Sequence, residues 1–92
     1  MAVAIAERVV RVVNELGLHA RPSAEFVKLA SRFRSEIELA KAELRVNGKS
    51  IMGVMTLAAE CGSELHIRTE GDDAEAAAQA LADLVNRGFR ET

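Results

Sequence analysis

With 92 residues, 49% of them hydrophobic, the chain is long enough for one packed domain over residues 1–92 and is not expected to be disordered. Its 12 Lys and Arg are scattered among 14 Asp and Glu, and it lacks Trp and Tyr, which argues against nucleic-acid binding through a basic stripe or stacking rings. The sequence has a single cysteine, Cys61, and no Cys/His cluster with zinc spacing. It also has no apolar run long enough to span a membrane. We therefore expect a cytoplasmic protein without metal or cofactor.

The first predicted elements are a strand and a helix. Residues 3–13 are rich in Val, and β-branched residues favour a strand. Pro22 suits the first turn of a helix that begins at about Ala20, because its missing N–H has no helical partner there. Apolar residues follow on one face of this helix, at i, i+3, i+4 and i+7: Phe26, Leu29, Ala30 and Phe33.

Two short strands and a short helix come next. Residues 36–40 (EIELA) alternate between polar and apolar side chains, and residues 44–46 (LRV) continue this alternation up to the NGK turn. Ser50 is typical of a helix N-cap, and the helical spacing of apolar residues runs from Ile51 towards Gly62. We therefore expect strand, strand and helix over this segment.

The last predicted elements are a strand and a long helix. Residues 64–70 (ELHIRTE) alternate clearly, with the apolar side chains on one side. Asp72 followed by Glu75 three residues later predicts a capping box, and Gly88 is expected to end the helix. The order β-α-β-β-α-β-α, with an apolar stripe on the helices, predicts an α+β fold in which the helices cover one face of a single sheet.

His19 stands immediately before the first helix, in the motif LGLHARPS. The first N–H groups of an α-helix have no acceptor within the helix, and here they belong to Ala20 and Arg21, since Pro22 has none. The helix dipole adds about half a positive charge, and the Arg21 guanidinium suits phosphate oxygens. Spacing alone leaves two interpretations: a neutral imidazole that carries a phosphoryl group covalently, or a ring that only caps the helix.

Two motifs at this spacing resemble one known family. GLHARP (17–22) is similar to the phosphorylation motif of HPr, the histidine-containing phosphocarrier of the bacterial sugar phosphotransferase system, and GKSIMGVM (48–55) is similar to its regulatory segment. The similarity runs from about residue 4 to residue 89. It implies an open-faced β-sandwich in which three helices cover a four-stranded antiparallel sheet. Leu16 departs from the pattern, because many relatives have a small polar residue there.

The resemblance implies a stoichiometric phosphocarrier rather than an enzyme with its own turnover. His19 would accept a phosphoryl group through Nδ1 from phospho-enzyme I and pass it to the IIA domains of sugar permeases. Ala20 and Arg21 would hold the phosphoryl group. By the same resemblance, Ser50 would be phosphorylated by an HPr kinase/phosphorylase, and the added charge would favour another partner, such as a transcriptional repressor.

The expected docking face for enzyme I and IIA domains lies on the first two helices. Ile51 shares an apolar stripe with Val54 and is either a core or a docking residue, whereas Met52 lies off that stripe and is expected to be exposed. The resemblance places Ile51 and Met52 at the border of this docking face. We expect Ala20, Arg21, Ala24 and Met55 on the same face, with Lys28 adding charge at its rim. We expect the protein to be a monomer.

Two other classes of function remain as alternatives. The first is an HPr-like regulatory module of a nitrogen-related or incomplete phosphotransferase system that acts mainly by binding proteins. The second is an RNA-binding or small-ligand α+β domain, which ranks last because the sequence has no basic stripe and few aromatic residues. Outside the motifs, His66 is expected to be solvated on a strand, and Cys61 is expected to be a small packing residue.

Overall fold

A computed structural model describes residues 4–90 and places four strands and three helices in the predicted order β-α-β-β-α-β-α. The elements are β1 (Ile5–Arg11), α1 (Ala20–Ala30), β2 (Glu36–Lys41), β3 (Leu44–Asn47), α2 (Ile51–Thr56), β4 (Glu64–Glu70) and α3 (Ala74–Asn86). A turn of 3-10 helix follows α3 at Gly88–Arg90. The predicted strand at 3–13 is therefore shorter than expected, and its first residue lies outside the described residues.

The four strands form one antiparallel sheet in the order β1-β4-β2-β3. β4 lies in the interior of the sheet, where Ile67 is opposite Arg8 of β1 on one side and Leu39 of β2 on the other. Along β4 the side chains alternate, so that Ile67 is buried while His66 is exposed on the opposite face. The helices pack on one face, which confirms the predicted open-faced β-sandwich and the solvated position of His66.

The core fills the space between the sheet and the helices. Phe26 and Ala30 of α1 are fully buried, as their spacing predicts, while Leu29 is only partly buried. Phe33 is also partly buried and lies beyond the helix, because α1 ends at Ala30. Since the chain has few aromatic residues, α3 supplies small and aliphatic side chains to the core: Ala74, Ala77, Ala78, Leu81, Ala82, Leu84 and Val85.

The end of α2 and the position of Cys61 differ from the predictions. α2 stops at Thr56 rather than continuing towards Gly62, and Ala58 takes a left-handed conformation with φ of +49°. A left-handed alanine gives no signal in the sequence, because glycine is the residue that usually marks such a position. The prediction that Cys61 packs inside is also wrong, since the residue is exposed.

The start of α3 is held by a contact that is distant in sequence. The N-cap is Asp73 rather than Asp72, so the predicted capping box is wrong. The Asp73 carboxylate accepts hydrogen bonds from the backbone N–H groups of Arg34 and Ser35, each at 2.9 Å, and from the Ser35 hydroxyl. Asp72 instead forms an exposed ion pair with Arg34 at 2.9 Å. Asp73 thereby joins the start of α3 to the start of β2.

We expect Asp73→Asn to destabilise the protein in a pH-dependent manner. The hydrogen bond from the Ser35 hydroxyl, followed by that from the Arg34 N–H, lowers the pKa of Asp73 from 3.8 to about 2. Because the folded pKa lies below the unfolded one, the charged carboxylate stabilises the fold above pH 3.8, and this contribution is lost as the pH falls towards 2. The urea midpoint of the variant should therefore lie below that of the wild type at neutral pH and approach it near pH 2.

Asp72→Asn is the matched control for this measurement. It removes the same charge one residue away, but from an exposed ion pair, and such pairs contribute little to stability. Its urea midpoint should stay close to that of the wild type across the same pH range. An equal loss in both variants would contradict the role assigned to Asp73.

Candidate functional site

His19 is the N-cap residue of α1, as the sequence predicts. Its backbone is extended, with φ of −75° and ψ of −171°, and its carbonyl accepts the hydrogen bond of the Ser23 N–H at 3.1 Å. The residue is half-buried, and within the described chain no capping hydrogen bond joins its side chain to α1. The cap is therefore made by the backbone, and the imidazole is not used to begin the helix.

The loop before His19 is held against the segment that follows α2. The Gly17 N–H donates to the Asn14 carbonyl at 3.1 Å, and the Asn14 side-chain Nδ2 donates to the Gly17 carbonyl at 2.7 Å. The Leu18 N–H donates to the Ala59 carbonyl at 2.9 Å. Gly17 has φ of +68°, and a Cβ atom there would lie 2.3 Å from the Ala59 oxygen, so only glycine fits.

The first turn of α1 presents positive charge beside the imidazole. Pro22 is buried, and the Ser23 hydroxyl donates to the Leu18 carbonyl at 3.1 Å, which fixes the turn to the loop. Ala20 and Arg21 are exposed, and no residue of this turn is acidic. Backbone N–H groups at the start of a helix, the positive end of its dipole and a guanidinium together favour an anion.

The structure brings the predicted docking residues of the two helices onto neighbouring surfaces. Ala20, Ala24 and Lys28 are exposed and follow one another at intervals of four residues, so they form a row along α1. α2 packs beside α1 and exposes its apolar side chains. The exposed fractions on α2 are 44% for Ile51, 76% for Met52 and 38% for Met55. The exposure of Met52 is confirmed, and the alternative that Ile51 is a core residue is wrong.

The sequence assigned no functional role to two residues of this region, Leu16 and Ala59. Leu16 is 72% exposed, three residues before His19, and adds an apolar side chain to the same end of the molecule. Its departure from the family pattern was the available signal. Ala59 holds the loop through its backbone carbonyl, and no side-chain pattern marks such a contact.

Ser50 is the N-cap of α2, which confirms the prediction. Its hydroxyl accepts the Gly53 N–H at 3.1 Å, and its own N–H donates to the Asn47 carbonyl at 3.1 Å. The residue is half-buried, so its side chain is partly accessible while it caps the helix. The hydroxyl therefore has a structural role independent of any modification.

We expect Ser50→Ala to destabilise the protein by about 1 kcal/mol, because N-cap substitutions of this kind typically cost 0.5–2 kcal/mol. Equilibrium unfolding in urea measures this difference. Ser50→Thr retains an acceptor at the cap and should lie close to the wild type. A loss of the same size in both variants would show that the capping bond to Gly53 is not the cause.

Within residues 4–90, no group of three or more His, Cys, Asp or Glu side chains is arranged to hold a metal ion. The helices in this part of the chain are also too short or too polar to cross a membrane.

The comparisons with known proteins agree with this fold and site. A sequence model of the family described as "PTS HPr component phosphorylation site" matches residues 6–87. The open-faced sandwich and the family match define a small phosphocarrier protein of the phosphotransferase system, which is a carrier rather than a catalyst. The chain is 52% identical over 84 residues to the phosphocarrier protein HPr of Treponema pallidum (strain Nichols), covering 91% of this chain and 96% of that protein. The chain belongs to the HPr family.

Solved structures of relatives are similar over most of their length. The crystal structure of HPr-C-His from Thermoanaerobacter tengcongensis has a TM-score of 0.90 and 45% identity, covering 95% of this chain and 98% of that chain. The crystal structure of an HPr dimer from the same organism has a TM-score of 0.76 and 46% identity, covering 89% of this chain and 94% of that chain. Because one relative is described as a dimer, the expected monomer stays a prediction.

Proposed function

We propose that His19 is the phosphoryl acceptor of this phosphocarrier, that enzyme I supplies the group and that IIA domains of sugar permeases receive it. The observation that supports this proposal is the position of His19. Its half-buried imidazole stands at the N-terminus of α1, beside Arg21 and a first turn without acidic residues. Such a site attracts the dianionic phosphoryl group.

The transfer needs a neutral imidazole with its proton on Nε2. The Nδ1 lone pair attacks phosphorus, the bond between phosphorus and the donor atom of phospho-enzyme I breaks, and the bonding electron pair stays on the donor. Transfer to the IIA domain repeats this displacement with Nδ1 of His19 as the leaving group.

The helix N-terminus and Arg21 stabilise the bound phosphoryl group only modestly. Each helix-end contact contributes about 0.3–1 kcal/mol at an exposed site. Two N–H groups and the Arg21 guanidinium therefore contribute about 1–3 kcal/mol in all, which shifts the transfer equilibrium by about one to two orders of magnitude at about 1.4 kcal/mol per factor of ten. A carrier needs such a limited gain, because the group must leave again.

The proposed docking face consists of the α1 row with Ala20, Ala24 and Lys28 and of the α2 side chains of Ile51, Met52 and Met55. Apolar side chains with flexible Met residues suit contacts with more than one partner. Lys28 at the end of the row adds a positive charge that suits acidic partners. Enzyme I and a IIA domain would use this face in turn, since both must reach His19.

We also propose that phosphorylation of Ser50 by an HPr kinase/phosphorylase regulates this docking and favours a repressor. The hydroxyl is partly accessible and directly precedes Ile51 and Met52, which are both exposed. A phosphoryl group there adds a charge of about −1.5 to −2 beside the docking face. Ser50→Asp should therefore slow transfer from enzyme I relative to Ser50→Thr, and equal rates in the two variants would contradict this part of the proposal.

The relay itself is tested by reconstitution. Incubation with enzyme I and phosphoenolpyruvate should add one phosphoryl group, seen by intact mass, that is labile in acid and stable in base. Addition of a sugar-branch IIA domain should discharge it. Faster discharge by a nitrogen-branch IIA domain would favour the alternative, a regulatory module of a nitrogen-related system. No adduct with active enzyme I would overturn the proposal.

A further inference from the structure

A basic groove lies between α1 and the C-terminal end of α3 and is lined on the α1 side from Glu25 to Arg32. It has a volume of about 220 Å3. Four cations line it: Lys28 in the last turn of α1, Arg32 just after α1, Arg87 at the C-cap of α3, and Arg90 in the following turn. With Glu25 as the carboxylate in the lining, the groove carries a net charge of +3 in a chain whose net charge is −2.

The backbone that carries these cations is fixed on both sides of the groove. The Arg32 N–H donates to the Leu29 carbonyl at 3.0 Å, and the Arg87 N–H donates to the Asp83 carbonyl at 3.0 Å. Phe89, next to Arg90, is only 2% exposed and anchors the turn in the core. The cations are therefore held near one another by ordered segments rather than gathered from a mobile tail.

Helix ends explain only part of this cluster. A cation in the last turn or at the C-cap of a helix offsets the negative end of the dipole, which accounts for Lys28 and Arg87. The dipole effect falls off beyond the last turn, so it does not account for Arg32 and Arg90. The groove therefore holds two more cations than the dipoles of the two helices account for.

The four cations also differ from the other arginines of the sheet and loops. Within residues 4–90, none of the four forms an ion pair or a side-chain hydrogen bond. Four other arginines each pair with a carboxylate, namely Arg8, Arg34, Arg45 and Arg68, and Arg11 donates to the Gly62 carbonyl at 2.7 Å. The four cations outnumber the one lining carboxylate, Glu25, so they repel each other, and an anion in the groove would offset that repulsion.

We propose that this groove binds a small free polyanion that carries at least two phosphate groups. Three guanidinium groups offer planar donor pairs that match phosphate oxygens, and Lys28 adds a point charge. The groove is smaller than the pockets of about 300–1,000 Å3 that hold drug-sized ligands. A compact phosphate compound is of a size that this volume can hold.

Titration of the full chain with tripolyphosphate at constant ionic strength tests the proposal. Calorimetry should show saturable binding, and amide chemical shifts should change most around Arg32 and Arg87. Arg32→Gln combined with Arg87→Gln should weaken binding about tenfold or more, because it removes two charge-assisted contacts. Arg45→Gln combined with Arg68→Gln removes the same charge from paired arginines of the sheet and should leave the affinity unchanged.

Three results would overturn the proposal. The first is equal weakening in the two double variants, which would show only a general effect of net charge. The second is a shift map of the unmodified chain centred on Ala20 and the first turn of α1, which would place the anion at the phosphoryl site. The third is equal affinity for citrate, which would contradict the phosphate assignment. The shift map needs no variant, so it decides the location even if a variant unfolds.

Discussion

His19→Gln is expected to abolish phosphoryl transfer completely while leaving the protein folded. The amide of Gln has no lone pair that can attack phosphorus as an imidazole nitrogen does, so no adduct should form with enzyme I and phosphoenolpyruvate. The fold should tolerate the change, because the α1 cap is made by the His19 backbone and its carbonyl accepts the Ser23 N–H in any case. We expect a stability change of about 1 kcal/mol or less, because the residue is half-buried and the backbone cap is kept.

His66→Gln is the matched control, because His66 is the other histidine of the chain and is exposed on β4. It should be phosphorylated at the rate of the wild type. Intact mass after incubation with enzyme I, together with a urea unfolding curve for each variant, provides both readouts. An acid-labile adduct on folded His19→Gln, or its loss in His66→Gln, would contradict the assignment of the acceptor.

Gly17→Ala is expected to have the largest effect on stability among single-methyl changes near the site. The new Cβ would lie 2.3 Å from the Ala59 oxygen, so the loop or the segment after α2 must move. Overpacking of this kind costs about 1–3 kcal/mol. The left-handed φ of +68° adds about 1–2 kcal/mol for a residue with a Cβ. The total loss should therefore be about 2–5 kcal/mol, accompanied by slower phosphoryl transfer as the Leu18 contact with Ala59 is disturbed.

Gly62→Ala separates the two causes of this effect. Gly62 has φ of +94°, but a Cβ there has no atom within 4 Å, so only the backbone term of about 1–2 kcal/mol applies. The urea midpoint of Gly62→Ala should lie between those of the wild type and Gly17→Ala. The rate of phosphoryl transfer from enzyme I should fall in Gly17→Ala alone. Equal losses in the two variants would show that the contact with Ala59 is not important.

Local signals predicted most of the fold. The apolar spacing of Phe26 and Ala30 identified α1, and alternation identified β4, because both patterns are set by which side chains the element buries. The N-caps show where such signals fail. Ser50 caps α2 through a bond to Gly53, three residues away, and was predicted correctly. Asp73 is bonded to Ser35, a residue 38 positions earlier, and no local pattern contains that partner.

The candidate site also has one part that local sequence patterns predict and one part that they do not. The motif around His19 and Arg21 is contiguous, so it was visible in the sequence. The support of the loop by the Ala59 carbonyl depends on a backbone atom 41 residues after Leu18, which side-chain patterns do not report. The basic groove was missed for a related reason, because its cations come from two separate segments, 28–32 and 87–90.

The pairing of β1 with β4 has a consequence for how the protein is made. Ile5 is paired with Glu70, so the first strand leaves the ribosome long before its neighbour exists. Contacts this distant in sequence slow folding, since a long loop must close before they form. The sheet that covers the core side of α1 is therefore complete only after β4 has been synthesised, and under the proposed function enzyme I would meet a usable acceptor only after translation has passed that strand.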